Sequence, residues 1–167
     1  MLGTARISSS MPIDASHWAN VMETFFSGSH HLFTALRMKP TKIDADSVSV
    51  IATIPDFFGH LDGEACAHGG AYTIVLDTVF GFAVYARLQK PLAIATINLK
   101  TEYLRSVEIG ERIICVAECH ALEKNIARAR GEILDYDGRP LASATGAFMI
   151  GSSGPDFSLS GNEAAAP

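Results

Sequence analysis

The sequence predicts an α+β domain: one antiparallel sheet of about five strands wrapped around a long apolar helix, with a further helix at the N-terminal end. Three observations carry this. Between His68 and Arg87 lie eighteen residues with a single charged side chain, Asp77, and a helix apolar nearly all round must be enclosed on most sides. Downstream, four segments rich in β-branched or alternating residues are separated by turn chemistry at Ile109-Gly110, Lys124-Asn125 and Asp137-Gly138. Finally, 167 residues of which 48% are apolar suit one domain with a single core and exclude disorder over most of its length.

The elements follow in order. Residues 1–11 are Ser/Gly-rich and read as a loose start, 12–152 as the domain, and 153–167 as a flexible tail. Asp14 or Ser16 can cap a helix that gathers Trp18, Val21, Met22, Phe25 and Phe26 on one side. Ser27-Gly28-Ser29 interrupts it before a short second helical piece. After Pro40, "TKIDADSVSVIATI" alternates Ile43, Ala45, Ser47 and Ser49 against Asp44, Asp46, Val48 and Val50, which reads as one strand with a ragged apolar face. "PDFFGHLDGEAC" is a loop into the apolar helix. The four strands are then "LAIATINLKTEYLRSV", "ERIICVAECHALEKN", "IARARGEILDYDG" and "PLASATGAFMIG", with Tyr136-Asp137-Gly138-Arg139-Pro140 as a hairpin signal.

Bulk properties narrow the function. A net charge of −5 argues against a nucleic-acid binder, which needs a basic face. Cys66, Cys115 and Cys119 form no disulfide framework. The first residues lack a basic region followed by an apolar core, so no secretory leader is expected. The run 69–86 is nearly long enough to span a bilayer, but Gly69, Gly70, Asp77 and Gly81 favour a buried helix of a soluble protein. Together these predict a cytoplasmic protein with no membrane or nucleic-acid partner.

A lone carboxylate in the most apolar segment is the sharpest feature, because burying one unpaired costs several kcal/mol. With Asp77 in view, His68-Gly69-Gly70, Leu76-Asp77 and Gly81 resemble the "HGG…LxD…G" signature of PaaI-like hot-dog acyl-CoA thioesterases. "TINLKTEYLR" (96–105) followed by Gly110 resembles that family's second strand and its exit turn, and the resemblance spans about residues 40–150. It implies the hot-dog fold and hydrolysis of acyl-CoA or aroyl-CoA thioesters, with coenzyme A as part of the substrate and no cofactor. It also implies a homodimer or a dimer of dimers (a homotetramer), with sites at the dimer interface. The spacing agrees with a shared site. If both lie on one helix, nine residues turn His68 and Asp77 ~180° and ~13.5 Å apart, so one chain cannot bring both to one carbon: either one of them is structural, or two chains meet antiparallel and exchange the roles.

Within that resemblance each residue has a role and a plainer alternative. The first N–H groups of the helix, at Gly69 and Gly70, lack intrahelical partners and could hold an oxyanion, or they are an ordinary helix start. Asp77 could act as general base or as nucleophile, or pair with an arginine. His68 contacts the thioester region or shapes the loop. Six positions before His68 the family usually carries Asn, whereas this chain has Asp62, which when ionised cannot donate to a carbonyl. A shifted loop, a protonated Asp62 or a water-orienting role are the three readings. Thr96 falls where the family often has Ser or Thr holding the water or the carboxylate. By simple alternation it shares a face with Asn98, Lys100 and Glu102, opposite Ala95, Ile97, Leu99 and Tyr103.

Arg105 is the expected contact to coenzyme A phosphates, with Lys100, Arg128 and Arg130 as weaker candidates. No metal site is expected: Cys115 and Cys119 share a strand face but His120 points away, Cys66 stands alone, and His30-His31 is not a chelating pair. Nor is a cysteine nucleophile expected. Tyr72, Phe80, Phe82 and Tyr85 read as packing, and Phe57 and Phe58 as a conceivable acyl pocket. The competing functions are a hot-dog hydratase or dehydratase and a non-catalytic acyl-CoA-binding protein.

Overall fold

The computed structural model describes residues 31–59, 65–89 and 92–151. The expected helix carrying Trp18, the loose start, the flexible tail and Asp62 lie outside them. The short second helical piece is α1, His31–Ala35. It is followed by β1 (Lys39–Ile43), β2 (Val48–Thr53), a 3-10 turn (Asp56–Phe58), α2 (Gly70–Leu88), β3 (Ile94–Tyr103), β4 (Arg112–Glu123), β5 (Ile126–Leu134) and β6 (Pro140–Ile150). All strands pair antiparallel in one sheet of order β1-β2-β4-β5-β6-β3.

The sheet has six strands because the stretch read as one strand after Pro40 is a hairpin. Asp44 Oδ1 accepts the N–H groups of Asp46 (3.0 Å) and Ser47 (2.8 Å), which turns the chain. The Asp44/Asp46 alternation therefore belongs to a turn. In β2, Val48, Val50 and Ala52 are fully buried toward the helix, and β4 continues that face with Ile113, Cys115 and Ala117. The turn residues act as the sequence suggests: Gly110, Lys124 and Gly138 all adopt positive φ, at 83°, 52° and 80°.

Helix α2 touches β2, β3, β4, β5 and β6, so the sheet curves around it in the hot-dog arrangement. Its composition would suffice to cross a membrane, yet 56% of that window is buried within the fold, as expected of a core helix. It ends where Gln89 turns left-handed (φ 52°) and donates its N–H to Tyr85 O. The rotation of α2 is set by Phe80. A Cβ at Gly131 would come within 2.9 Å of the Phe80 ring, and one at Gly146 within 3.2 Å. The ring thus occupies a cradle that two glycines on neighbouring strands leave open. Asp77, three residues earlier, is carried toward the sheet's edge at β3.

Among the described residues strand β3 has a neighbour only in β6. Its register shifts between Thr96, opposite Phe148, and Asn98, opposite Ala147, leaving Ile97 as the extra residue of a bulge. This changes the phase of the strand. Thr96 faces α2 together with Leu99, Thr101 and Tyr103, while Asn98, Lys100 and Glu102 face the other way. The simple alternation that grouped Thr96 with Asn98 does not hold across the bulge.

Candidate active site

The segment entering α2 is tied down on two sides. Cys66 bridges Glu108 and Ala67 bridges Gly59, while His68 donates its N–H to Phe58 O at 2.7 Å. At Gly69 the backbone is already right-handed helical (φ −57°, ψ −23°). His68 O then accepts the N–H of Ala71, and Gly69 O accepts those of Tyr72 and Thr73. The two glycine amides differ. Gly70 donates its N–H to His68 Nδ1 at 3.0 Å, whereas the Gly69 N–H meets no acceptor among the described residues. Nδ1 of His68 is the acceptor of the Gly70 N–H. The imidazole caps the helix start, and Gly69 is left as the open donor at its positive end.

Asp77 sits half-buried near the middle of α2, and Thr96 donates a hydrogen bond to its Oδ1 at 2.8 Å. Among the described residues no group donates to Oδ2, which leaves that oxygen for water or substrate. Eight residues separate Gly69 from Asp77, about 12 Å along the helix axis. One carbonyl carbon cannot touch both from a single chain.

Sequence reasoning missed two residues here. Thr73 lies one turn before Asp77 on the same helix face, an i, i+4 spacing that was available as a signal. Its hydroxyl lies 2.7 Å from that of Tyr103. Two polar rungs, Thr73–Tyr103 and Asp77–Thr96, therefore join α2 to the edge strand. Tyr103 was unrecognisable because alternation set it opposite Thr96.

Arg105 is engaged within the chain. Its guanidinium donates to Pro140 O (2.9 and 3.1 Å) and to Asp135 Oδ2 (3.3 Å), with the side chain 41% exposed. Lys100 pairs with Glu102, and Arg130 with Glu118, on the sheet face turned away from α2. These residues, with Glu132 and Thr145, line a hollow of about 470 Å³; it takes in Lys100 and Arg130, two of the weaker candidates for the phosphate contact, but none of His68, Gly69, Gly70, Asp77, Thr96 or Arg105. Cys115 and Cys119 are buried, and burial pushes both thiols up, away from thiolate. His120 lies exposed in a bulge of β4. Among the described residues no cluster of three His, Cys, Asp or Glu could hold a metal. Phe57 is exposed and its ring packs tilted against that of Phe58, at 4.7 Å between centroids and 40° between planes.

The Thioesterase superfamily matches residues 66–142, which take in the helix start, Asp77, Thr96 and Tyr103. A curated Halobacterium salinarum protein named "putative esterase" is 46% identical over 48 residues, 28% of this chain and 32% of that protein, so the match spans about a third of that relative's length. The E. coli PaaI protein from the phenylacetic acid degradation operon superposes with a TM-score of 0.70 at 20% identity, covering 82% of this chain and 96% of that one. A thioesterase of Haemophilus influenzae gives 0.65 at 15% identity, over 73% and 83% of the two chains. A hypothetical thioesterase protein from Streptococcus pneumoniae, solved with coenzyme A, gives 0.61 at 18% identity, over 68% and 87%. At these identities the structural likeness is one of fold. The superfamily match covers somewhat less than half of this chain. The chain has the hot-dog fold and resembles the PaaI-like thioesterases, in its motif at residues 68–77 and in the sheet that carries it.

Proposed function

We propose that the chain hydrolyses acyl-CoA or aroyl-CoA thioesters. The observation that carries this reading is the Thr96–Asp77 hydrogen bond, which fixes one carboxylate oxygen of the apolar helix and leaves the other open. In the base mechanism, Asp77 Oδ2 takes a proton as water attacks the thioester carbonyl. The tetrahedral oxyanion is held by a Gly69 amide, and the C–S bond then breaks as the proton passes to the departing thiolate sulfur. In the nucleophile mechanism, the same oxygen attacks the carbonyl and the C–S bond breaks, expelling CoA thiolate and leaving a mixed anhydride. Water then hydrolyses the anhydride, restoring the Asp77 carboxylate and releasing the acid, with the proton passing to the thiolate. Both give free acid and CoA thiol.

The reading requires two chains, because about 12 Å separates the two groups within one. Strand β3 supports a homodimer. It presents ten residues whose second edge pairs with no strand among the described residues, together with exposed Ile97, Tyr103 and Leu104. A long edge carrying apolar side chains is normally covered. Pairing of these edges would bring the Gly69 amide of one protomer to the Asp77 of the other, and a dimer of dimers is the larger assembly of the same reading. The coenzyme A bound by the pneumococcal protein supports the substrate class. Arg105 is the proposed contact to its phosphates, through the exposed side of its guanidinium.

The test is thiol release from a panel of acyl- and aroyl-CoAs, wild type against Asp77→Ala. Loss of at least 100-fold is expected for a base or nucleophile. Equal rates would overturn the mechanism. Tight binding of CoA thioesters without turnover would make the protein a binding module instead.

A further inference from the structure

Tyr103 is 55% exposed, yet it is bound to the first turn of α2 at three points. Its hydroxyl lies 2.7 Å from Thr73 Oγ1. Its ring stacks near that of Tyr72, with centroids 6.4 Å apart. The same ring also lies over Gly69: a Cβ there would stand 2.9 Å from Cε1, 3.3 Å from Cδ1 and 3.4 Å from Cζ. Gly69 has an ordinary helical φ of −57°, so its backbone conformation does not require glycine. The Tyr103 ring stands where a Cβ would go, so any larger residue must push the ring aside. Thr73 and Tyr72 in turn donate their N–H groups to Gly69 O. Every residue that Tyr103 touches in this turn is therefore the open-amide residue itself or one bonded to it.

The geometry points to Tyr103 as a positioning residue for the proposed reaction: it clamps the first turn of α2 and so fixes the direction of the Gly69 N–H. This rests on the thioesterase reading above. The clamp lies on the strand that also holds Asp77 through Thr96. One strand thus sets both halves of the machinery, the donor through Tyr103 and the carboxylate through Thr96. A donor stabilises the developing oxyanion only when it stands about 2.7–3.1 Å from it and points at it, while the ground-state carbonyl is less demanding. Loosening the turn should therefore lower kcat and leave KM nearly unchanged.

The experiment compares Tyr103→Phe, Thr73→Val and the double variant with hexanoyl-CoA and benzoyl-CoA as probes, alongside hydrogen exchange of the amides of residues 69–73. Tyr103→Phe keeps the ring over Gly69 and removes only the hydroxyl. Each single change should lower kcat about tenfold with KM within about twofold, and the double variant should be no worse than either single one, since both remove the same bond. First-turn amides should exchange faster while those of the middle of α2 do not. Losses that multiply in the double variant, a change in KM alone, or unchanged first-turn exchange would each overturn the clamp. If the wild type releases no thiol from either probe or from the wider panel, the thioesterase reading falls, and the exchange measurement alone decides whether Tyr103 holds the turn.

Discussion

Thr96 donates to Asp77 across the gap between edge strand and core helix, at 2.8 Å, because the strand bulges one residue later at Ile97. The side chain that alternation would send to the far face of the sheet is thereby aimed at the carboxylate. A bulge that redirects a single side chain next to a candidate active site is a recurrent use of this irregularity.

Thr96→Val keeps the shape and removes the donor. A hydrogen bond to a charged group contributes roughly 1.5–3 kcal/mol, so kcat/KM for thiol release should fall about tenfold or more. Thr96→Ser keeps a hydroxyl and should recover most of that loss. Equal activity for valine and threonine would show that Asp77 needs no orienting partner.

Much of this architecture was legible in the sequence. The apolar run is uncharged but for its one carboxylate over a length no other element matches, and Gly110, Lys124 and Gly138 mark their turns by chemistry that holds locally. What escaped notice depended on non-local geometry. The hairpin at Asp44–Ser47 was hidden because turn aspartates happened to fall in strand phase. The bulge at Ile97 has no signature in "ATINLK", since it arises from pairing with β6. The difference between the Gly69 and Gly70 amides follows from how the His68 ring folds back, which spacing does not reveal.

That difference gives a second prediction. Gly69→Pro deletes the open N–H at a residue whose φ of −57° suits proline, and Gly69→Ala supplies the same new Cβ while keeping the N–H. Loss of one oxyanion donor costs about 10²–10³ in kcat. The proline variant should therefore fall well below the alanine variant in thiol release. Similar kcat values for the two would remove Gly69 as the donor.

The glycine cradle around Phe80 predicts stability. A Cβ at Gly131 would lie 2.3 Å from Val116 O, a backbone atom that cannot rotate aside. Gly131→Ala should cost about 1–3 kcal/mol by overpacking. Gly81→Ala meets only Ile94 Cδ1 at 3.7 Å and sits inside a helix, so it should be neutral or stabilising by up to about 1 kcal/mol. Urea denaturation of the two variants would check the contrast. A destabilised Gly81→Ala would mean that the helix needs glycine there for another reason.

The hairpin between β5 and β6 predicts a pH dependence. Burial alone would raise the Asp135 carboxyl. The Arg139 N–H and the Arg105 and Arg139 guanidinium groups outweigh that and hold it below the usual carboxylate value. A group depressed in the folded state stabilises above its unfolded pKa of about 3.9, and that contribution is lost as pH falls through the lower folded value. Asp135→Asn should therefore be less stable than wild type at pH 7, with the gap closing below about pH 4. Denaturant midpoints measured from pH 7 to pH 3 would show this. A gap that widened on acidification would contradict it.

The separation of Gly69 and Asp77 along one helix predicts complementation between chains. Asp77→Ala chains lack the carboxylate, and Gly69→Pro chains lack the amide, so each homodimer should be nearly inactive. In a mixed dimer, the intact Gly69 of the first chain faces the intact Asp77 of the second, and one site is whole while the other is doubly broken. Random mixing of equal amounts puts about half the protomers in mixed dimers, and half of those sites are competent, so about one quarter of wild-type activity should return. Activity should rise as the two proteins are refolded together and should not rise when they are only combined after folding, if exchange is slow. Should either variant be active alone, the two groups do not act on one substrate. Should the refolded mixture stay inactive while light scattering shows mixed dimers, the groups do not meet across the interface, and the composite site is wrong.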